Sequence, residues 1–139
     1  MRVDVKGEPI TQGSMNAFPI RRKDGSIGVS MTHQKGNKLD VWRQAVAEAY
    51  KAQDGTYYPQ YTPVCFEGTF YLKRPAKPHA WLPSAKGSDL DKLTRAILDS
   101  LSEVAYYDDC QVCDIRVRKD YADCDEDIGL VFYLTELKE

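Results

Sequence analysis

The stretch Ser88-Asp89-Leu90-Asp91-Lys92-Leu93-Thr94-Arg95-Ala96-Ile97-Leu98-Asp99 decides how this chain folds. Leu90, Leu93, Ile97, Leu101 and Val104 recur at spacings of three and four, the apolar stripe of a helix with one buried face. Asp91, Arg95 and Asp99 fall four apart and form a polar ridge away from that stripe. Ser88 followed by Asp91 makes a capping-box-like start, and acids in a first turn suit the positive end of the helix dipole. The spacing predicts a helix ending near Glu103, then a turn carrying Tyr106-Tyr107-Asp108-Asp109. Carboxylates gathered in this way repel one another, and a bound divalent cation is a common way to offset that cost.

Strand patterns flank the helix. Residues 111–119 and 127–136 alternate apolar and polar after it, and a strand near 63–73 precedes it. At the N-terminus, residues 2–7 form a short strand ended by Gly7 and Pro9. Residues 11–16 read as a polar loop. Residues 18–22 and 27–31 flank Lys23-Asp24-Gly25, where Asp-Gly signals a hairpin with Arg21, Arg22 and Lys23 at its tip. Asn37 can cap a second helix running to about Gln53, with Leu39, Trp42, Val46 and Ala49 on one face, and Asp54-Gly55 stops it. The expectation is a single α+β domain over residues 1–139, with a mixed, mostly antiparallel sheet and two main helices. No internal repeat or low-complexity segment interrupts it.

A chain of 139 residues, 42% hydrophobic and 29% charged, has the make-up of a folded domain with a real core. No run of about 18 apolar residues is present, which argues against a membrane span. The N-terminus lacks an apolar signal core, so a cytoplasmic location is expected. The net charge of −2 hides an imbalance of +6 over residues 1–88 and −8 over 89–139. A basic half able to meet a polyanion and an acidic half able to hold metal would explain it; simple intermixing in the fold would also do so.

Cys65, Cys110, Cys113 and Cys124 do not make a convincing zinc site. Cys110 and Cys113 have C-x-x-C spacing, but no second pair stands at ligand spacing and His33 and His79 are isolated. Reduced packing cysteines are the better reading, and no zinc is expected. Between the predicted strand and the acidic helix lies a proline-rich basic loop with Arg74, Lys77, His79, Trp81 and Lys86. Trp81 there either stacks on an unpaired base or, more commonly, anchors its loop to the core.

Magnesium takes oxygen ligands, keeps several waters and is held by one or two carboxylates plus substrate phosphate. Asp89 and Asp91, joined by Asp109 or Asp108, could meet that demand, and Arg95 could contact a phosphate oxygen. From spacing alone the simpler reading is a capped surface helix, with Arg95 pairing Asp91 and the aspartate pair in a polar turn.

The order of motifs adds to this. Asp89-Leu90-Asp91-Lys92-Leu93 with Ala96-Ile97-Leu98-Asp99-Ser100-Leu101, then Tyr107-Asp108-Asp109-Cys110-Gln111-Val112, resembles the RusA family of phage and prophage Holliday junction resolvases. Pro9-Ile10-Thr11-Gln12-Gly13-Ser14-Met15 and the Trp42-Arg43 helix also resemble members of it. The resemblance implies a homodimeric, Mg2+-dependent endodeoxyribonuclease of DNA recombination and repair, with Mn2+ an alternative ion. It acts on branched DNA, cutting four-way junctions to leave 5′ phosphates.

By position, the resemblance places metal-binding acids at Asp89, Asp91 and Asp109, with Asp108 beside them. The catalytic lysine of the family falls on Arg95, which binds phosphate but does not donate a proton at ordinary pH. The usual asparagine after the second acid is Lys92 here. Arg21, Arg22, Lys23, Arg74, Lys77, Lys86 and Lys92 are the expected DNA-binding side chains. Asp99 reads as a structural partner of Arg95. Two rival functions remain: a dimer that clamps branched DNA without cutting it, and a less selective flap or single-strand nuclease.

Overall fold

The computed structural model describes residues 1–13, 15–21, 23, 27–33 and 37–139, with backbone alone for 15–21 and 27–33. In chain order the elements are β1 (Val3–Lys6), β2 (Met15–Arg21), β3 (Ile27–His33), α1 (Asn37–Gln53), β4 (Val64–Leu72), α2 (Leu90–Leu101), β5 (Val112–Tyr121) and β6 (Gly129–Glu136). Short 3-10 turns at Asp109–Gln111 and Asp125–Asp127 lead into β5 and β6. The four-stranded sheet runs β1-β6-β4-β5, while β2 and β3 form a separate ribbon. Only the β4–β5 pair is parallel, with Val64 opposite Val112 and Leu72 opposite Tyr121. Parallel neighbours need a crossover, and α2 supplies it. The expected α+β domain with a mixed sheet and two helices is the fold observed.

Alternation along the strands puts one sheet face against the helices. Val64, Phe66 and Phe70 of β4 and Leu130, Phe132 and Leu134 of β6 are buried with Leu39, Val46 and Tyr50 of α1 and Leu93, Ile97 and Leu101 of α2. Phe66 stacks on Phe132 at 5.3 Å between ring centroids. Gly68 makes room for that pair, since a Cβ there would stand 3.0 Å from the Phe132 Cβ. The opposite face, with Glu67 between Arg116 and Tyr133, has no helix over it. Apolar burial on one side only is what an antiparallel-rich sheet with alternating sequence produces.

α1 ends as its sequence predicts. Asp54 and Gly55 both donate backbone N–H groups to the Tyr50 carbonyl, at 3.0 and 2.8 Å, and Gly55 takes φ +72° to do so. The face expected to hold Ala49 buries Tyr50 more deeply, with Ala49 packed at its margin.

The start of α2 differs from expectation. Asp89, not Ser88, is the N-cap, and no side chain closes the cap. Ser88 is held elsewhere: its carbonyl accepts from Lys119 Nζ of β5 at 2.8 Å. The helix also stops at Leu101, because Ser102 is extended and Glu103 turns to φ +65°.

Thr11 and Gln12 lie in a loop, as expected, but are buried, and the Gln12 N–H donates to the Lys92 carbonyl at 3.0 Å. Cys110 lies in the 3-10 turn before β5, and Cys113 lies on β5 itself. All four cysteines are free. Trp81 does not anchor its loop to the core, being 75% exposed. The hairpin pairs Arg21 with Ile27, which is a longer connection than a two-residue Asp-Gly turn. Arg22, Asp24 and Gly25, and the side chain of Arg21, lie outside the described residues.

Candidate active site

The apolar stripe of α2 fixes its rotation. With Leu93, Ala96, Ile97 and Leu101 fully buried, Asp91, Arg95 and Asp99 must face away from the core, toward β5 and the turn before it. They line a cleft of about 490 Å³ with Leu90, Leu98, Asp109, Ile115 and Val117. Its walls are aliphatic, its charged groups are three carboxylates and one guanidinium, and Thr94 adds a hydroxyl. A second hollow of about 360 Å³ between β1 and α1, beside Trp42, shares no residue with it.

Within the cleft the acids fall into two places. Asp91 and Asp99 are two turns apart, which separates their Cα atoms by roughly 12 Å along the axis. Asp99 and Asp109 meet within hydrogen-bonding reach, and Asp108 also neighbours Asp109. Burial, then these two carboxylate neighbours, push the Asp109 carboxyl up to about 6. Asp108 is exposed and moves the other way; hydrogen bonds from Cys110 and then Asp109 hold it below the usual carboxylate range. A proton shared within a carboxylate cluster is what a cation can replace, and an all-oxygen donor set suits a hard divalent ion.

Asp109 is held at this point by its turn. The Asp108 N–H donates to Gln111 Oε1 at 3.0 Å. Gln111 Nε2 in turn donates to the carbonyls of Tyr58, Pro59 and Thr62. Buried and fully engaged, that amide pins the Asp109–Gln111 turn to the segment after α1. Tyr106, also buried, donates its hydroxyl to the Leu98 carbonyl at 2.6 Å and braces the end of α2 beside Asp99.

The residues named from sequence divide accordingly. Asp91, Arg95 and Asp109 share the cleft. Asp89 lies outside its lining and pairs with Lys92 Nζ at 3.4 Å. Asp108 faces a neighbouring hollow with Tyr107, Cys110 and Gln111. Among the described residues, no group of three His, Cys, Asp or Glu side chains stands at ligand distance from one point. Asp99 is not a partner of Arg95; it turns to Asp109 instead. Among the described residues Arg95 makes no ion pair, which leaves its guanidinium open to the cleft.

Two residues have roles at the site that the sequence reading did not give them. Asp99 joins the acids, and Gln12 orients it, its Nε2 donating to Asp99 Oδ2 across 87 positions. Gln12 is buried, and its Oε1 has no hydrogen-bond partner among the described residues. The i+8 spacing from Asp91 to Asp99 places both on one helix face and was a usable signal. Nothing local marked Gln12.

Of the basic loop, Arg74 lies over the Tyr121 ring at 5.0 Å, Lys77 is exposed, and Lys86 lines a shallow hollow with Pro75, Pro83 and Ser88. Lys23 is exposed.

A small α+β domain with carboxylates and an unpaired guanidinium facing one cleft is built for work on an anionic substrate. Comparison with known families gives that class its identity. The family model for endodeoxyribonuclease RusA matches residues 18–128. The chain therefore belongs to the endodeoxyribonuclease RusA family, enzymes of the Holliday junction resolvase type that act on branched DNA. No curated protein matches the chain. No helix is long and apolar enough to cross a membrane.

Proposed function

We propose that this chain, as a cytoplasmic homodimer, resolves four-way DNA junctions by Mg2+-dependent phosphodiester hydrolysis, leaving 5′ phosphates. The observation that carries the reading is the single cleft shared by Asp91, Arg95, Asp99 and Asp109, with Asp109 raised to about 6 by its acidic neighbours. Asp91 and Asp109, from the two places in the cleft, would supply carboxylates to bound metal, and Mn2+ could replace Mg2+; Asp89 and Asp108, outside the cleft lining, would be further acids near it. When bound, the metal activates water and neutralises charge developing at the scissile phosphate.

The chain's own residues do the rest. Arg95 takes a non-bridging phosphate oxygen and does not act as a proton donor at neutral pH. Asp99, oriented by Gln12, keeps the Asp109 carboxylate aimed into the cleft. Arg21, Arg22, Lys23, Arg74, Lys77, Lys86 and Lys92 would track backbone phosphates, which set position rather than sequence preference. A two-fold dimer suits a junction of near two-fold symmetry, placing one cleft on each of two opposed strands.

The test is cleavage of a labelled junction with Mg2+. The wild type is expected to give nicked duplexes. Asp91→Asn is expected to lose about a thousandfold in rate while still binding junction in Ca2+. Unchanged cleavage by the variant would overturn the assignment. Wild-type binding without product under any divalent ion would make the protein a clamp. Equal cutting of flaps and junctions would make it a less selective nuclease.

A further inference from the structure

The chain has two tryptophans, and they have opposite surroundings. Trp42 is 3% exposed and Trp81 is 75% exposed. An indole left in water forfeits a large apolar burial, so its position calls for another use. Trp81 has one specific contact among the described residues: the Arg118 guanidinium lies over its ring at 5.7 Å. Asp120 sits 3.9 Å from the same guanidinium and helps hold it. One face of the ring is thus set by a cation while the side chain stays largely open.

Residues 73–88 carry Lys73, Arg74, Lys77 and Lys86 and no acid. Charge of that kind suits a polyanion. The loop is also tied to the cleft. Successive strand residues point to opposite faces, and β5 is an edge strand. Arg118 holds Trp81, while its neighbour Lys119 holds the Ser88 carbonyl next to the α2 N-cap. Val117, on the other side of Arg118, lines the cleft itself. The loop therefore wraps the β5 edge from Trp81 to the first acid of α2.

We propose that Trp81, backed by Arg118, is a stacking platform for an unpaired nucleobase of the DNA strand that enters the acidic cleft. The proposal deepens the junction-cutting reading and rests on it for the identity of the strand. A base offers an aromatic face whatever its sequence, so stacking would favour branch points and single strands over intact duplex.

Binding in chelator tests this without any cleavage step. Trp81 is the accessible indole, so an oligothymidylate and a four-way junction should each quench tryptophan emission, and linear duplex far less. In Trp81→Phe that emission signal should be absent while affinity stays within about threefold, because the phenyl ring still stacks. Trp81→Ala should weaken both ligands by about tenfold at fixed salt, with the salt slope unchanged because no phosphate contact is lost.

Three outcomes would overturn the proposal. The first is equal affinity of Trp81→Ala and wild type. The second is a shallower salt slope without quenching, which would make the loop a phosphate contact only. The third is a dimer that dissociates in Trp81→Ala, which would make the residue an interface anchor. Wild-type cleavage of the junction in Mg2+, run alongside, reports separately on the nuclease reading.

Discussion

Along α2, Leu93, Ala96, Ile97 and Leu101 are fully buried, while Asp91, Arg95 and Asp99, interleaved with them, face an open cleft. On the inner flank every side chain has apolar neighbours, and even Thr94 and Ser100 bond back to helix carbonyls at 2.8 and 2.7 Å. On the outer flank a guanidinium stands without an ion pair among the described residues, and the Asp99 and Asp109 carboxyls are crowded together, with Asp109 pushed up to about 6. The inner flank contributes stability. The outer flank lowers it in the absence of a counter-ion, and charge left unneutralised by the fold marks a place where a ligand completes the electrostatics.

The comparison breaks most sharply at Asp109. Asp109→Asn should cut junction cleavage by about a thousandfold, since a neutral amide no longer supplies the anionic ligand. Cleavage within a few-fold of wild type would remove Asp109 from the site. On the inner flank, Ile97→Ala should cost about 3 kcal/mol of folding stability by opening a cavity between the helices and the sheet, read by denaturant unfolding. A loss below about 1 kcal/mol would mean that the packing under α2 relaxes freely.

The smallest expected effect is on pH dependence. Folded Asp109 keeps its proton to about pH 6, against 3.8 ordinarily. Between those values the folded state binds more protons than the unfolded one, so metal-free stability falls as pH rises through the window. The loss is of order 1 kcal/mol, because the solvent-open cleft screens the repulsion. Melting temperatures in chelator across that window should show the decline in the wild type and a flatter curve in Asp109→Asn. A steeper decline in the variant would contradict the crowding of the two carboxyls.

Much of this arrangement was legible locally. The heptad-like spacing of Leu93, Ile97 and Leu101 located α2 and its buried face. Asp54-Gly55 ended α1 where a left-handed residue is needed. Alternation placed β5 and β6 to within two or three residues. The cap of α2 was misassigned to Ser88, because Lys119, 31 residues away, takes the Ser88 carbonyl. Asp99 was paired with Arg95 on helical spacing, but the turn after the helix brings Asp109 to the same side chain. Residues 11–12 read as a polar loop, and their burial against α2 was not legible because their partners there lie far along the chain.

By itself, the sequence determined the two helices, the strand alternation and the family to which the chain belongs. These rest on periodicities and ordered motifs within some thirty residues, where chain geometry alone relates one side chain to the next. Only the tertiary structure decided which carboxylates meet, that Gln12 reaches Asp99, and that Trp81 stays in solvent over the β5 edge. Those outcomes depend on how the α2 crossover lies against a parallel strand pair, and on contacts spanning up to 87 positions. No local pattern encodes such contacts, because the free energy that selects them comes from packing the whole domain.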